Sequence, residues 1–378
     1  MKILQTNKAY FPVVGGIETT VTNLSEGLAR RDGISVEVLT CGDTRSFRVV
    51  RKNINGVAVT YVPAWGSFAS LPISPSYPRF LAGVKADILH VHEPFPLADL
   101  AILSFPKIAE NFSHIVVSWH ADIVRQQWAL PLYRPMIHRF LRRVDRILVS
   151  APSLIDISEY LPMYRDRCEV IPHGVKLDWI ALSHIRRGRV EEIRRERGTP
   201  LVLFVGRLVY YKGLRYLLEA MNFVAAASLV IIGSGPLRRR LMADIAGFGL
   251  QKRVTVIPYA PEDELHSFYE ACDLLVLPST ELSETYGLVQ IEAMACGKPV
   301  ISTRIGTGVT FVNQDGVTGL TVPPRDSRAL AGALEKLIAD PDLRLALGRN
   351  ARERALNEFS APRMVDRTLK VYEDLLHR

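Results

Sequence analysis

The ten residues Ser283–Glu292, SETYGLVQIE, place two carboxylates around a strand-to-helix turn, and this unit decides the fold of the second half. DLLVLPS before it, residues 273–279, has the pattern of a buried strand, and LVQIEAMA, residues 288–295, has helical spacing. Seven residues separate Glu284 from Glu292. We therefore predict Glu284 on the loop and Glu292 inside the helix, where both can face one ligand.

The size and composition of the chain predict two folded domains. Its 378 residues are too many for one ordinary core, and 48% hydrophobic residues are enough to fill two. The four cysteines are scattered, with no CxxC pair or zinc-like spacing, which indicates a reducing compartment and no structural metal. MKILQTNKAYF at the start lacks the apolar run of a signal peptide, and no stretch reaches the roughly 18 apolar residues of a membrane span. We expect a cytoplasmic protein, in solution or on the inner face of the membrane.

The net charge of +8 raises the question of nucleic-acid binding. The sequence has no zinc finger, no RNP-like aromatic and basic motif and no continuous basic tail, so we exclude nucleic acid as a partner. The charge is instead concentrated in two segments, at residues 134–146 and 186–197.

The first basic segment, within residues 125–146, is predicted to be an amphipathic helix. RPMIHRFLRRVDR, residues 134–146, carries five arginines against Asp145, with apolar residues between them. Such a helix can lie on anionic lipid, or it can pack on the core and leave its arginine face in water. The sequence leaves both possibilities open.

Two series of short apolar strands alternate with helical stretches, which predicts two parallel sheets flanked by helices. The strands of the first half are MKILQT, SVEVLT, VAVTYV, DILHVH, HIVVSW and DRILVSA, and those of the second are PLVLFVG, SLVIIG, RVTVIP, DLLVLP and KPVIST. We divide the chain into residues 1–178 and 179–360. Between the two series, His184–Gly198 is Arg-rich and is predicted to be an exposed helix or linker.

SETYGLVQIE, FVGRLVYYKG at residues 204–213 and GGIE at residues 15–18 together resemble glycosyltransferase family 4, over nearly the whole chain. The resemblance implies the α/β GT-B fold, with two Rossmann-like doubly wound parallel-sheet domains facing an interdomain cleft. Residues 1–178 would form the acceptor-side domain, and residues 179–360 the domain that binds the nucleotide-sugar donor. The resemblance also implies that the last helix, residues 361–378, packs back on the first domain.

Four charged residues of the second half are the main donor-site candidates. Arg207 and Lys212 lie five residues apart in a strand-to-helix loop, where a guanidinium and an ammonium can converge on one pyrophosphate. There they would stabilise charge on the departing nucleoside diphosphate and replace a metal. Glu292 is suited to accept hydrogen bonds from ribose hydroxyls, and Glu284 is predicted to face hydroxyls of the transferred sugar.

Backbone groups complete the predicted donor site. The amides of Tyr286, Gly287 and Leu288, at the start of a helix, can bind the distal phosphate. The pair Gly15 and Gly16 precedes another helix and lets bare backbone approach an anion; in the family this loop lies against the donor. Two further glycines, Gly233 and Gly235, follow the strand SLVII and are expected to back the base.

On the acceptor side the resemblance implies a role for His120, which follows HIVVSW, because the family places a histidine there against the sugar and the reacting centre. His92 and Asp122 are further acceptor-side candidates. The DxD sequence Asp340–Asp342 is interpreted as a helix cap, since no strand precedes it.

The resulting hypothesis is a retaining, metal-independent glycosyltransferase that needs no cofactor. It would move a hexose, either mannose or a deoxyhexose carried by GDP, onto a hydroxyl of a glycan or lipid-linked acceptor in bacterial polysaccharide assembly. A sugar-nucleotide epimerase on the same fold and a non-catalytic scaffold are the alternatives. A nicotinamide dehydrogenase is disfavoured because no GxGxxG follows either opening strand.

Overall fold

The computed structural model describes residues 1–13, 15–42, 47–68, 71–123 and 130–377. Residue contacts divide the chain into two units. The N-terminal unit comprises Met1–Gly174 and Ala361–Arg378, and the C-terminal unit comprises Val175–Ser360.

The N-terminal unit is built on an eight-stranded sheet. Its strands are β1 (Lys2–Asn7), β2 (Ser35–Cys41), β3 (Val50–Ile54), β4 (Val57–Val62), β7 (Ala86–Glu93), β8 (Phe112–Trp119), β9 (Arg146–Val149) and β10 (Cys168–Val170), with a small hairpin of β5 (Ser67–Phe68) and β6 (Leu71–Pro72) outside the sheet. The order across the sheet is β10-β9-β8-β7-β1-β2-β4-β3. The chain therefore proceeds in both directions from β1, which is the doubly wound arrangement.

One edge of this sheet corrects the prediction of purely parallel strands. β3 pairs antiparallel with β4, whereas the other neighbours in the sheet are parallel. The reason lies in Asn55-Gly56, where both residues have positive φ, 51° and 88°, as a tight two-residue hairpin requires. Asn-Gly between two short strands is a hairpin signal that the alternation of strands and helices had hidden.

The described residues of the N-terminal unit also form seven α-helices. They are α1 (Gly16–Ala29), α2 (Tyr77–Ala82), α3 (Pro96–Ser104), α4 (Pro106–Ala109), α5 (Leu130–Leu141), α6 (Ser153–Ile157) and the last helix of the chain, α15 (Ala361–Leu376). The core cluster joins Val21 and Leu24 of α1 to Met364 and Tyr372 of α15 and to the central strands. The C-terminal helix is thus part of the core of the N-terminal unit.

The C-terminal unit has a six-stranded, all-parallel sheet. Its strands are β11 (Leu201–Val205), β12 (Ser228–Ile232), β13 (Val254–Ile257), β14 (Leu274–Leu277), β15 (Val300–Thr303) and β16 (Gly319–Val322), in the order β13-β12-β11-β14-β15-β16. Its helices are α7 (Ser183–Arg197), α8 (Leu214–Phe223), α9 (Arg238–Gly247), α10 (Glu262–Ala271), α11 (Leu288–Ala295), α12 (Gly308–Val312), α13 (Ser327–Ala339) and α14 (Pro341–Glu358). Strand order reverses at β11, so the carboxyl ends of β11 and β14 flank the position where ligands of such sheets bind.

The two Arg-rich segments differ in structure. α7 covers the second segment, whereas α5 ends at Leu141 and Arg146 already begins β9, so the helix predicted within residues 125–146 ends earlier than expected. In α7, Arg186 is buried, and its guanidinium donates a hydrogen bond to Glu270 of α10. The sequence predicted an exposed helix or linker, and the helix is confirmed, but one of its faces packs against α10. In α5, Tyr133, Ile137 and Phe140 are buried in the unit. The apolar face of α5 is therefore occupied by core packing.

Residues 125–129 of the segment predicted to contact membrane lie outside the described residues. Within the described part of the chain, no helix is long and apolar enough to cross a membrane.

Candidate active site

The centre of the C-terminal site is a buried ion pair between Lys212 and Glu284. The distance from Lys212 Nζ to Glu284 Oε2 is 2.5 Å, and the two residues are only 8% and 7% exposed. Ser279 Oγ donates a further hydrogen bond to Glu284 Oε2, at 2.9 Å. Lys212 ends a short helical turn after β11, and Glu284 lies on the loop after β14, so the pair joins the two strand ends at the switch point.

Arg207 differs from Lys212 in its surroundings, because its side chain is exposed. Among the described residues, no carboxylate lies within ion-pair distance of its guanidinium. Arg207, Lys212 and Glu284 all act electrostatically on the hydroxyl of Tyr211. Burial raises the pKa of Tyr211, Glu284 raises it further, and the two cations oppose this effect. The structure therefore brings both predicted cations and the first carboxylate around one tyrosine.

Hydrogen bonds hold the β14–α11 loop in place from both sides. Thr280 N donates to Tyr211 O, at 2.7 Å, which ties the loop to the turn after β11. Thr307 Oγ1 donates to Glu284 O, also at 2.7 Å, and Thr303 Oγ1 donates to Ser279 O. The position of Glu284 is thus set by groups that follow β11 and β15, on either side of β14.

α11 begins at Leu288, directly after this loop, and its first amides have no carbonyl of their own helix to bond. Gly287 precedes it with a φ of 76°, a conformation in which glycine avoids the strain of a side chain. Tyr286, Gly287 and Leu288 therefore lie where the sequence placed them, at a helix N-terminus that favours anions.

Glu292 lies inside α11, as predicted, and Tyr269 of α10 donates its hydroxyl to Glu292 Oε2. Burial raises the pKa of Glu292 to about 7; the Tyr269 hydrogen bond lowers it and Glu262 raises it. This carboxyl therefore changes charge near neutral pH, whereas the sequence had suggested an ionised acid.

Gly233 and Gly235 pack against the loop that carries Arg207. A Cβ at Gly233 would lie 1.9 Å from Gly206 O, so only glycine allows the two backbones to approach. Leu208 N donates to Ser234 O at 2.9 Å. These glycines thus support the Arg207 loop, a role that the sequence did not indicate.

The N-terminal unit contains a second polar cluster, a row of four histidines at the carboxyl ends of β7 and β8 and after β10. We call His90, His92, His120 and His173 the histidine row. His92 Nδ1 lies 3.0 Å from His120 Nε2, and His120 Nδ1 lies 3.3 Å from His173 Nε2. Burial lowers the pKa of all four imidazoles, to about 3 for His90 and about 4 for His173. The row therefore holds neutral rings at neutral pH.

Both ring nitrogens of His90, His92 and His120 have hydrogen-bond partners. His92 Nε2 lies 2.7 Å from Gln5 Oε1, and His90 bonds Tyr372 Oη at 2.5 Å and Ser118 Oγ at 2.8 Å. His120 is 2% exposed with both nitrogens bonded to other histidines. The sequence predicted His92 and His120 but missed His90, although residues i and i+2 of a strand share one face.

The remaining N-terminal candidates lie apart from the row. The Asp122 carboxylate accepts hydrogen bonds from Trp119 Nε1, Ser158 Oγ and Glu159 N, each at 2.8 Å. These bonds join the segment after β8 to the segment after α6, so Asp122 has a structural role. Gly15 caps α1 and Gly16 begins it.

Outside both clusters, Asp340 Oδ1 accepts from Leu343 N at 2.9 Å, which confirms the helix cap.

Two Rossmann-like parallel-sheet units in one chain, with two cations and a helix N-terminus at the switch point of the second sheet, are typical of the GT-B class of proteins. Comparison with known proteins identifies the family. The model for glycosyltransferase family 4 matches residues 14–179, and the model for glycosyl transferases group 1 matches residues 189–354.

Two curated relatives match almost the whole chain. O-antigen chain mannosyltransferase C of Escherichia coli is 35% identical over 379 residues, covering 100% of this chain and 99% of the relative. D-rhamnosyltransferase WbpZ of Pseudomonas aeruginosa is 34% identical, covering 96% and 93%. A glycosyltransferase structure from Rickettsia africae has a TM-score of 0.78 at 20% identity, covering 99% and 98%, which shows the fold. This chain therefore belongs to glycosyltransferase family 4 and has the GT-B fold.

Proposed function

We propose that this glycosyltransferase is a retaining, metal-independent enzyme that transfers mannose or a deoxyhexose from a GDP-sugar to a hydroxyl of a glycan or lipid-linked acceptor. The observation that carries the donor side is the buried Lys212–Glu284 pair beside exposed Arg207 and the start of α11. Two cations and a helix N-terminus at one sheet edge are suited to a diphosphate. The choice of sugar draws on the mannosyl and rhamnosyl transferases that share about a third of this sequence.

Donor binding rearranges the ion pair. The diphosphate attracts Arg207 and Lys212, and Glu284, released from Lys212, accepts hydrogen bonds from hydroxyls of the sugar. Glu292 accepts bonds from the ribose when it is ionised. The cost of separating Lys212 from Glu284 is offset by the new contacts of each with the donor.

Bond changes follow from the retaining reaction. The bond between the anomeric carbon and the β-phosphate oxygen breaks, and the acceptor oxygen bonds to the same face of that carbon. The acceptor proton passes to the departing phosphate oxygen. Arg207, Lys212 and the α11 amides stabilise the charge that develops on the leaving group, which is the part a metal ion plays in other transferases.

The test is binding and slow hydrolysis of GDP-, UDP-, ADP- and dTDP-sugars, with chelator and without added metal, by the wild type and Arg207→Ala. We expect one nucleotide to bind, hydrolysis to persist in chelator, and the variant to lose activity. Loss of activity in chelator would overturn metal independence, and binding of no donor would favour a scaffold. NMR of the product's anomeric proton distinguishes retention from inversion, and a sugar nucleotide altered without acceptor would indicate an epimerase.

We also propose that the arginines in the last turn of α5 and directly after it bring the N-terminal unit to an anionic membrane. Arg139, Arg142 and Arg143 line a groove of about 570 Å³ between α3 and α5, beside Leu100, which is 52% exposed. Among the described residues, no carboxylate lies within ion-pair distance of these three arginines. Because the apolar face of α5 is packed in the core, the contact is electrostatic, and each arginine near an anionic surface contributes about 1 kcal/mol.

Vesicle flotation tests this surface. Arg139→Glu with Arg142→Glu should abolish binding to phosphatidylglycerol vesicles, whereas Arg349→Glu with Arg352→Glu makes the same charge change on exposed residues of α14 and should retain it. Equal loss in both pairs would show a response to net charge alone. Equal retention would remove α5 from the membrane contact.

A further inference from the structure

Seven buried or partly buried side chains of the N-terminal unit form one unbroken hydrogen-bonded chain. In order they are His173, His120, His92, Gln5, Tyr372, His90 and Ser118. The rings of His92 and His120 are stacked, with centroids 5.3 Å apart and planes at 16°. His173 is the least buried of the four imidazoles, and Ser118 at the other end is also partly exposed, so the chain crosses the core between two partly exposed ends.

In such a chain the tautomer of each neutral imidazole depends on the tautomers of its neighbours. Each ring has one N–H and one lone pair, so a ring bonded on both sides donates on one and accepts on the other. The tautomer of His92 therefore dictates that of His120, and His120 dictates which nitrogen of His173 carries the proton. Burial keeps His92 and His120 neutral, because it lowers their pKa values well below the usual range.

Gln5 sets the direction, because its amide has one accepting and one donating end. Gln5 Oε1 accepts from His92 Nε2, and Gln5 Nε2 donates to Tyr372 Oη at 3.2 Å. The Tyr372 hydroxyl then donates to His90 Nδ1, and His90 Nε2 donates to Ser118 Oγ. Every imidazole of the row thus carries its proton on Nε2. Turning the Gln5 amide over would reverse every bond and move all four protons to Nδ1.

We propose that Gln5 and Tyr372 are positioning residues that fix the tautomers of the histidine row and thereby hold His173 and His120 for glycosyl transfer. Tyr372 lies on α15, is fully buried, and meets His90 edge-on with ring centroids 5.8 Å apart. Burial raises the pKa of Tyr372, so its hydroxyl keeps the proton it donates. The C-terminal helix therefore contributes a polar contact to the row in addition to its apolar packing.

The kinetic part of this inference rests on the proposed function, whereas the tautomers are measured without substrate. Long-range ¹H–¹⁵N NMR of the full chain labelled at histidine reports which ring nitrogen is protonated. We expect His90, His92, His120 and His173 to show the Nε2–H form at pH 7, assigned with single His→Gln variants. Mixed tautomers along the row of the wild type would overturn the inference.

Gln5→Glu gives the sharpest test, because the new carboxylate has the same shape but accepts on both sides. His92, His120 and His173 should keep the Nε2–H form. Tyr372 must now donate to the carboxylate, so His90 should switch to the Nδ1–H form and donate to Tyr372. An unchanged His90 would show that Gln5 does not direct the chain.

Tyr372→Phe removes the link while keeping the ring. Without the hydroxyl, the Gln5 amide loses the acceptor that orients it. We therefore expect mixed tautomers at His92, His120 and His173 as well as at His90, and a kcat up to about 100-fold lower with the donor KM unchanged. Thr368→Val on the same helix is the control, because, within the described part of the chain, its buried hydroxyl bonds only Met364 O of α15. If the tautomers change in Tyr372→Phe but kcat does not, the hydrogen-bonded row exists but does not act in glycosyl transfer, which overturns the functional part of the proposal. An absence of donor hydrolysis in the wild type would instead contradict the proposed function.

Discussion

The two buried polar clusters of this glycosyltransferase, the C-terminal site and the histidine row, compensate the cost of burying polar groups in different ways. The C-terminal site buries opposite charges, Lys212 and Glu284, side by side. The histidine row buries neutral rings and links them by hydrogen bonds to Gln5 and Tyr372. A buried ion pair can be separated by a charged ligand, whereas a neutral row has no charge to give up and serves to hold geometry. The difference suggests that the C-terminal site rearranges on binding and that the row stays fixed.

The largest expected effect breaks the ion pair. Lys212→Met should lower kcat/KM about 1,000-fold, as expected for a group that stabilises the leaving phosphate. It should also lower the free energy of unfolding by about 3–5 kcal/mol, because Glu284 is left buried without its partner. Kinetics and urea unfolding measure the two effects. Adding Glu284→Gln to this variant should restore much of the stability but none of the activity; restored activity would refute the role of Lys212.

The second prediction concerns pH and Glu292. The pKa of this carboxyl is raised to about 7, and ribose hydroxyls favour the ionised form, so donor affinity should rise as pH increases from 6 to 8. Below the pKa, affinity should fall by up to about 10-fold per pH unit. Calorimetry with a nucleotide-sugar follows this change.

Tyr269→Phe is the companion variant, because Tyr269 stabilises the Glu292 carboxylate. The inflection in the plot of donor affinity against pH should move to higher pH in this variant. Glu292→Gln should remove the inflection altogether, and an inflection that survives in this variant would belong to another group.

A third prediction tests whether the histidine row is neutral. Its folded pKa values lie below the usual value of about 6.5, so the unfolded chain binds more protons under acid conditions. The row's contribution to stability is therefore complete above pH 6.5 and is lost as pH falls toward 4. Each imidazole contributes up to about 1.4 kcal/mol per pH unit.

Thermal unfolding between pH 7 and pH 5 measures this loss. His120→Gln should flatten the dependence on pH, and His184→Gln, at an exposed position of α7, should leave it unchanged. Equal slopes in the three proteins would mean that the row does not cause the acid sensitivity.

The smallest effect concerns carboxylates that belong to neither cluster. Asp340→Ala removes the cap of α14 and should cost about 1 kcal/mol of stability with kcat unchanged. Urea unfolding and donor turnover are the measurements. A large loss of activity would instead give the Asp340–Asp342 sequence a part in catalysis.

Local patterns predicted those features that depend on neighbouring residues. Eleven predicted strands correspond to β1, β2, β4, β7, β8, β9, β11, β12, β13, β14 and β15. The edge strands β10 and β16 were missed because Cys168–Val170 has only three residues with a central glutamate and Gly319–Val322 begins with a glycine, so neither has the apolar run of the predicted strands. Glu284 on a loop and Glu292 in a helix followed directly from the switch between strand and helix spacing.

The contacts within the candidate site followed less well. The sequence identified Lys212 and Glu284 as separate contacts of one ligand, but their mutual ion pair joins residues 72 positions apart and depends on β11 lying beside β14. Ser279 and Thr307, which hold Glu284, carry no signal of their own because serine and threonine are common in any loop.

What the sequence determined by itself is the class of protein, the order of most strands and helices, and the local elements that carry the candidate site residues, because these follow from periodicity and from motifs within about ten residues. Only the tertiary structure decided the partners: Tyr269 for Glu292, Gly233 against the Arg207 loop, and Gln5 with Tyr372 around the histidines. Gln5 and Tyr372 are 367 residues apart. They meet because the last helix fills the core of the N-terminal unit, and a hydrogen bond over such a separation leaves no pattern in the local sequence.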